Sequence, residues 1–361
     1  MNYKVLTSIL FMSLALLSCS DETTQPDEEI DKQALLVNYA DNLIIPSFSE
    51  LNDNSIKLSE SLVDLKEKYS PSNLENVRTA YIELATSWQS CSMYGFGPAQ
   101  DIQLRQAINT FPTDTVRIVE NISSGSYSLA ISSNFKAKGL PALGYLLYPN
   151  ENENTEEYFT DDNLLTYLTD LVNDINNNIS YVNNGWNDYR EEFITNLGND
   201  AGSSLSIMIN EFVFDYEIAK RAKVGIPSGI YGSVLPYNFE APHSNLSYVL
   251  LHENLTAYKR FITGPNNNDS ERTDNIQEYL DALSATRNDS DLSLIITEEL
   301  NESISKIETF RDPMHEMVQE PSGKEKIDAL YKNMQEMVVL VKTDMTSSMG
   351  ILISYQDNDG D

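Results

Sequence analysis

Apolar residues recur at helical spacing along most of this 361-residue chain. Between Ile30 and Lys68 they lie three or four positions apart, as at Leu58, Leu62 and Leu65, and Pro46 is expected to kink that helix. Similar patterns predict further helices, which run from residue 71 past residue 88 and over residues 101–108, 113–122, 163–181, 203–223, 246–262, 273–283, 292–310 and 324–349. Residues 351–355 are the one notable strand candidate. The sequence therefore predicts an all-α protein built of antiparallel helical bundles.

The first 18 residues have the pattern of a secretory signal peptide. Lys4 precedes an apolar run from Val5 to Leu17, and Leu16-Leu17-Ser18-Cys19 ends it. A cysteine in this position is typical of a lipobox, whose thiol receives a diacylglycerol before the chain is cleaved in front of it. A transmembrane helix is the alternative, but this 13-residue run is too short for a hydrocarbon core of about 30 Å. We therefore expect a lipoprotein that begins at Cys19 and is anchored by acyl chains such as palmitate.

A polar stretch follows the expected lipidation site. Residues 19–30, which include Ser20-Asp21-Glu22, are predicted to form a flexible acidic tether. The stretch resembles the export signal that some Gram-negative bacteria place after the lipidated cysteine. This indicates an outer-membrane lipoprotein, on the periplasmic face or at the cell surface. We expect an N-terminal helical bundle at residues 31–190 and a C-terminal bundle at residues 191–361.

Charge and cysteine content exclude several classes of protein. The formal net charge is -31, and such a surface repels phosphate backbones, so nucleic acid is not an expected partner. It also repels anionic lipid, so attachment to the membrane depends on the acyl chains. Only Cys19 and Cys91 are present, so a lipidated chain has no partner thiol for an internal disulfide. Stability must come from the core, and a zinc site built from several cysteines is excluded.

Two long segments rich in Gly and Pro interrupt the helical pattern, at residues 123–149 and 224–245. Loops of this length are often functional. The two segments also resemble each other, with Asn-Phe-Lys-Ala at residues 134–137 and Asn-Phe-Glu-Ala at residues 238–241. Each precedes an apolar helix that contains a tyrosine. Duplication of a helical unit explains the match, and chance is the alternative.

In these segments the chain resembles the imelysin-like family, bacterial envelope proteins built of two related helical bundles and historically classed as metallopeptidases. The resemblance covers most of the chain after the tether. It rests on patterns that occur in order, namely Trp88, Tyr-Gly-Phe-Gly-Pro at 94–98, Ile-Asn-Thr-Phe-Pro at 108–112, Gly-Ile-Pro at 225–227, Phe-Glu-Ala-Pro-His-Ser at 239–244, and the closing segments at 340–344 and 355–361. The resemblance implies two bundles related by duplication and a role in iron uptake or its regulation.

The best known motif of that family, Gly-x-His-x-x-Glu, falls on residues 139–144 of this chain. On a helix, the family's His and Glu would share one face and could hold a cation. Here Pro141 replaces the histidine and Gly144 replaces the glutamate, so neither side chain can bind a metal or move a proton. Gly139 can bend the backbone and Pro141 suits the first turn of a helix. For Gly144, simple packing and space for a ligand are both open.

No other catalytic constellation replaces the lost motif. A zincin needs His-Glu-x-x-His, yet His252-Glu253 and His315-Glu316 each lack the second histidine. His243 lies in the second long loop near Glu240 and Ser244, where a ligand contact and a plain surface role are both open. Cys91 is expected to be a buried, inert thiol. We therefore predict no catalytic residues.

The sequence thus favours a non-catalytic protein that binds a ligand or partner and is linked to iron uptake. Gly139, Pro141, Gly144, Glu240, His243 and Ser244 are the predicted ligand-binding residues, in a cleft between the two bundles. No cofactor is predicted, although iron or another divalent metal is an open possibility, as is an iron-uptake component as partner. The alternative is a metal-dependent peptidase of the imelysin type. The site hypothesis requires residues 139–144 and 240–244 to meet in space.

Overall fold

The computed structural model describes residues 31–149, 154–198, 200–265 and 274–355. The predicted signal peptide, the lipidation site at Cys19 and the tether up to residue 30 lie outside the described residues, so these remain predictions. Within the described ranges the protein is all-α, as predicted, apart from one very short β-ladder. No helix in those ranges is both long enough and apolar enough to cross a membrane.

Sixteen α-helices are present in the described ranges: α1 (Lys32–Tyr39), α2 (Ile45–Glu67), α3 (Pro71–Cys91), α4 (Pro98–Asp101), α5 (Leu104–Ile108), α6 (Thr115–Ser124), α7 (Gly139–Leu147), α8 (Thr155–Tyr158), α9 (Asp162–Thr195), α10 (Ser204–Ile218), α11 (Ser247–Thr263), α12 (Ile276–Ala282), α13 (Leu292–Ile307), α14 (Met314–Met317), α15 (Pro321–Val339) and α16 (Thr346–Ser348). Strands β1 (Thr286–Arg287) and β2 (Ser290–Asp291) form the ladder, and short 3₁₀ turns span Ser132–Ala137 and Pro236–Asn238. Side chains of Ser70, Asp114 and Asp161 cap the N-termini of α3, α6 and α9.

Wider π-helical turns extend or join helices at three places in the described chain, Ala40–Ile44, Ala219–Gly225 and Leu340–Met345. The first joins α1 to α2 immediately before Pro46. Proline lacks an N–H, and its ring crowds the preceding helical turn. A π turn at that point absorbs the mismatch locally. The π turn therefore ends at Ile44, two positions before Pro46, and the kink itself stays a prediction.

The long helices pack in a continuous order. Helix α2 packs between α9 and α3, and α3 also contacts α11. Beyond α11 come α13 and then α15, so the α3–α11 contact joins the first half of the chain to the second. The buried apolar side chains form one continuous cluster along this order. The packing of the two halves of the chain against each other therefore depends on residues along α3 and α11.

The strand prediction needs correction. The predicted strand at residues 351–355 is wrong, because the Leu352 carbonyl and the Ser354 N–H bond to the side chain of Asn210 on α10 and not to another strand. The predicted division between residues 190 and 191 lies within α9, which continues to Thr195, and the division into two bundles stays a prediction. The β1–β2 ladder was not predicted. It is closed by Asn288 and Asp289, both with positive φ, which are typical of a tight hairpin turn.

Candidate functional site

Helix α7 contains the segment that corresponds to the family's metal-binding motif. It begins at Gly139, whose φ of 79° is left-handed. A Cβ at this position would collide with the carbonyl oxygen of Ile108, so the glycine allows the two backbones to touch. Pro141 lies in the first turn, where its missing N–H leaves no helical hydrogen bond unmade. The structural roles predicted for these two residues are confirmed.

Gly144 provides space for a tyrosine hydroxyl. A Cβ on Gly144 would lie 2.5 Å from the hydroxyl oxygen of Tyr81 and 3.5 Å from Oγ of Ser244. The Tyr81 hydroxyl and Ser244 Oγ are themselves 3.5 Å apart, and both side chains are buried. The two predicted segments, residues 139–144 and 240–244, therefore meet around Tyr81. A carboxylate side chain at position 144 would need the space that the tyrosine occupies.

Glu240 is buried at this meeting point, with 2% of its surface exposed. Its Oε1 accepts hydrogen bonds from Gln89 Nε2 at 3.1 Å and from Asn109 Nδ2 at 2.8 Å. The ammonium of Lys223 lies 2.9 Å from Oε2 and donates to Gln89 Oε1 at 2.5 Å. The carboxylate is thus neutralised by a buried ammonium and held by two amides. We call Glu240, Lys223, Gln89 and Asn109 the interface cluster.

The local fold explains how these four side chains meet. Gln89 lies on α3, and Asn109 follows α5 directly. Lys223 belongs to the π turn Ala219–Gly225 that continues α10. Glu240 follows the short 3₁₀ turn Pro236–Asn238 and precedes Ala241, whose φ of 53° is unusual for a residue with a side chain. The interface cluster therefore joins elements from both halves of the chain.

The interface cluster is closed. Between Tyr81, Gln89, Pro141 and Glu240 the volume open to a molecule the size of water is about 0 Å³. The cleft expected between the two loop segments is therefore absent at the point where they meet. At Gly139, Pro141, Gly144, Glu240 and Ser244 the structure shows packing or internal hydrogen bonds, and their assignment to a ligand remains a prediction.

A second buried polar cluster lies farther along α3. Asp215 accepts from Ser92 Oγ at 2.6 Å, from Arg105 at 2.8 Å and from the Tyr258 hydroxyl at 2.8 Å. Asn254 donates to the Gln89 carbonyl at 3.2 Å, which links this cluster to the interface cluster. Charged residues within the strongly apolar helix that begins near residue 203 were the available signal for Asp215 and Lys223. Their partners could not be read from the sequence, because those partners come from distant segments.

Two glycines of the Tyr-Gly-Phe-Gly-Pro pattern at residues 94–98 permit close packing nearby. A Cβ on Gly95 would lie 2.7 Å from a carboxylate oxygen of Glu211. Burial raises the pKa of Glu211 to about 7, although the guanidinium of Arg105 acts in the opposite direction. Gly97, with a φ of 55°, faces the ring of Tyr189 at a distance that leaves no room for a Cβ. The pattern therefore marks backbone positions that other side chains cover.

His243 has different surroundings from Glu240, although only two residues separate them. Its ring is 5.0 Å from that of Tyr145 and 5.5 Å from that of Tyr237. It lines a pocket on the surface of the first half of the chain. Burial, together with the nearby His315, lowers its pKa, so the imidazole is neutral at pH 7. The structure does not include His243 in the hydrogen bonds of the interface cluster.

The other histidines do not form a metal site. His252 lies 3.6 Å from Glu253 and 3.6 Å from Glu308, and His315 stacks near Tyr237. Within the described ranges, no three His, Cys, Asp or Glu side chains are grouped so that they could hold a metal ion. Cys91 is buried, and burial raises its pKa, which makes its thiol a poor nucleophile.

The fold and the interface cluster define an all-helical protein whose two halves are joined around an internal ion pair. The chain belongs to the Imelysin family, peptidase M75, whose family model matches residues 44–341. The resemblance inferred from the sequence patterns is thereby confirmed.

Individual relatives agree with this assignment. A crystal structure of an imelysin-like protein from Psychrobacter arcticum 273-4 superposes with a TM-score of 0.72 at 18% identity, covering 90% of this chain and 97% of the other. A candidate iron-regulated protein A precursor from Parabacteroides distasonis gives a TM-score of 0.73 at 15% identity, covering 87% and 95%. Iron-regulated protein A of Synechococcus elongatus is 24% identical over 146 residues, which is 39% of each chain. The chain thus matches about two fifths of that curated relative.

Proposed function

We propose that this chain is a non-catalytic outer-membrane lipoprotein that binds a ligand or a partner protein in iron uptake. The observation that supports it most is the ion pair of Lys223 with Glu240. At the point where the family motif would bring a histidine and a glutamate, this chain has Pro141, Gly144 and a buried ammonium. A carboxylate that is already neutralised by an ammonium has little to gain from a metal ion.

The link to iron is supported by relatives named as iron-regulated proteins. The membrane anchor is supported by the sequence pattern at Cys19. Metal-dependent peptidase chemistry would require a metal-bound water, and the described residues offer no group of three His, Cys, Asp or Glu side chains that could hold the metal ion. The interface cluster is also closed to water, which a hydrolase needs at its reacting centre.

The test is an uptake experiment in the native host. A strain that lacks this gene is compared with the parent for accumulation of radioactive iron under iron limitation. The deletion strain is complemented with the wild-type chain and with Cys19→Ser. We expect reduced uptake in the deletion strain, full rescue by the wild type, and weak rescue by Cys19→Ser because it cannot be lipidated.

Two results would count against the proposal. Equal uptake in parent and deletion strains under iron limitation would remove the iron role. Metal-dependent cleavage of casein or of a peptide library by the purified wild-type chain, absent from a Glu240→Gln variant, would favour the peptidase.

A further inference from the structure

We propose that the surface pocket beside His243 binds a small organic cation with an aromatic or apolar body. This deepens the proposed binding role, and rests on it, by naming the chemical class of the ligand. The pocket lies between α6, α7, α8 and the start of α9, with His243 contributed by the second long loop. We call it the α6–α9 pocket. It is separate from the interface cluster, which has no room for a ligand.

The size of the α6–α9 pocket suits a small molecule. Its volume is about 520 Å³, within the range of about 300 to 1,000 Å³ that is typical of ligand sites in proteins. Apolar side chains from three helices form much of the wall, at Val119 and Ile122 on α6, Leu146 on α7 and Leu164 on α9. A ligand with an apolar body would therefore remove apolar surface from water on both sides of the contact.

Aromatic rings give the pocket its chemical character. Tyr145, Tyr148 and Tyr158 line it together with the imidazole of His243. The rings of Tyr145 and His243 are 5.0 Å apart and inclined at 70°, in edge-to-face contact. Aromatic rings that line a pocket attract cations, because the face of each ring is negative. The guanidinium of Arg78 already lies 4.9 Å from the ring centre of Tyr148, which illustrates this attraction.

The charges around the pocket select the sign of the ligand. Two carboxylates, Glu157 and Asp161, line the α6–α9 pocket, and none of its described lining residues is Lys or Arg; one oxygen of Asp161 also accepts from the Leu164 N–H at the start of α9. Arg78 approaches Tyr148 and donates its Nε–H to the Leu147 carbonyl at 2.9 Å. The imidazole of His243 is neutral at pH 7, because burial lowers its pKa. The lining thus has a net negative charge on a chain whose total is -31.

These charges disfavour the anionic alternatives. A phosphate, a carboxylate or a dianionic porphyrin would meet Glu157 and Asp161 without a lining cation to neutralise it. A neutral aromatic molecule would gain the apolar contacts but not the attraction to the carboxylates. Cations with an aromatic or apolar body gain both, so they are the class that the pocket favours.

The test uses three probes of similar size and different charge. Benzyltrimethylammonium, benzyl alcohol and benzoate are titrated into the full chain purified in a maltoside detergent, and saturation-transfer NMR measures binding. We expect the cation to bind at least about tenfold more tightly than benzoate, with benzyl alcohol in between. Partition of the probes into micelles is the same for every variant, so differences between variants report the protein.

Variants locate the binding. Tyr145→Ala should weaken binding of the cation by about fivefold or more. The exposed Glu157 offers a change that leaves the fold intact, and Glu157→Gln should weaken the cation about threefold while leaving benzyl alcohol unchanged. Glu60→Gln, at an exposed acid on α2, is the matched control and should change neither probe.

The proposal is overturned if benzoate binds as tightly as the cation, if no probe binds saturably, or if binding is unaltered in both Tyr145→Ala and Glu157→Gln. Its failure is distinguishable from failure of the proposed function. Normal iron uptake in the deletion strain with cation binding as expected would remove the iron role and keep the pocket. Reduced uptake without probe binding would do the reverse.

Discussion

Glu240 and His243 lie in the same loop, yet the two side chains have opposite surroundings. Glu240 is 2% exposed in a region with about 0 Å³ of open volume, whereas His243 lines a pocket of about 520 Å³. Oε1 of the carboxylate accepts from Gln89 and Asn109 and Oε2 forms an ion pair with Lys223, while the imidazole contacts aromatic rings. A residue that lies in a loop resembling the family pattern is therefore not necessarily part of a ligand site. A charged side chain that is neutralised inside the protein indicates a structural role. An open pocket whose lining is opposite in charge to the ligand indicates a binding role.

The contrast between Glu240 and His243 depends most strongly on a structural role for the interface cluster. Lys223→Ala removes the buried ammonium and leaves the Glu240 carboxylate without its counter-charge. We expect a loss of about 3–5 kcal/mol in the free energy of unfolding, measured by urea denaturation. Lys332→Ala, at a lysine whose side chain is 80% exposed on α15, is the control and should change stability by less than about 0.5 kcal/mol.

The double variant Lys223→Met, Glu240→Gln sharpens this test. It removes both charges and keeps much of the side-chain volume, so it should recover most of the loss. If Lys223→Ala were as stable as the wild type, the ammonium would not be what holds Glu240, and the account of the interface cluster would be wrong.

Backbone packing at the start of α7 should give the next largest effect. Gly139→Ala combines a left-handed φ with a collision against the Ile108 carbonyl, and we expect a loss of about 2–4 kcal/mol. Gly125 has a similar φ of 61°, but nothing lies within 4 Å of a Cβ there. Gly125→Ala should therefore cost only about 1 kcal/mol. Equal losses in thermal or urea denaturation would show that the contact with Ile108 is not tight.

The raised pKa of Glu211 gives a dependence of stability on pH. Burial raises it from 4.5 to about 7, so the folded protein binds this proton more tightly than the unfolded chain. The resulting contribution to stability is complete below about pH 4.5 and is lost as the pH rises to about 7. Glu211→Gln cannot ionise, so relative to the wild type it should gain about 2–3 kcal/mol between pH 5 and 8.

Urea denaturation at several pH values measures this difference. Asp162→Asn, at an exposed acid on α9, is a control for a general effect of charge. A difference between wild type and Glu211→Gln that does not change with pH would contradict the raised pKa.

The smallest expected change in stability is at His243, beside the α6–α9 pocket. His243→Ala removes ring contacts with Tyr145 and Tyr237 at the pocket rim but leaves no buried charge, so we expect about 1 kcal/mol or less. Glu240→Ala is the matched change in the same loop and should cost several times more, about 3–5 kcal/mol. Similar losses for the two variants would remove the contrast between closed and open regions.

Helical spacing was enough to predict most of the long helices, because amphipathic periodicity is a local property. Pro141 lies in the first turn of α7, as expected, whereas Pro46, where a kink within one helix was expected, lies in the first turn of a separate helix, α2. The strand predicted at residues 351–355 failed because its backbone groups bond to Asn210, and no local pattern shows such a partner. The end of α9 at Thr195 was missed because Asn-Asn-Gly at residues 183–185 has low helix propensity, whereas the helix continues through it and buries Trp186 and Phe193.

The candidate site was only partly predictable. The expectation that residues 139–144 and 240–244 meet agrees with the position of Gly144 next to Ser244 and Tyr81, while the assignment of these residues to a ligand stays a prediction. The family pattern could not identify Lys223 or Gln89, because their roles depend on a meeting between α3, a π turn and a distant loop. Nor could it predict that Glu240 is buried whereas His243 lines a pocket, since residues close together in a loop can face opposite sides. The aromatic residues of the α6–α9 pocket come from α7, the residue after it, α8 and the second long loop, with no signature in the chain.

The most direct test of the account is metal analysis of the purified full chain after equilibration with iron, zinc and calcium, with Glu240→Gln and His243→Ala measured separately beside it. Because the Lys223 ammonium already neutralises Glu240, we expect no stoichiometric metal in the wild type that is lost in Glu240→Gln. One metal ion per chain in the wild type, abolished by Glu240→Gln and retained in His243→Ala, would show that the interface cluster is a metal site and would contradict the account.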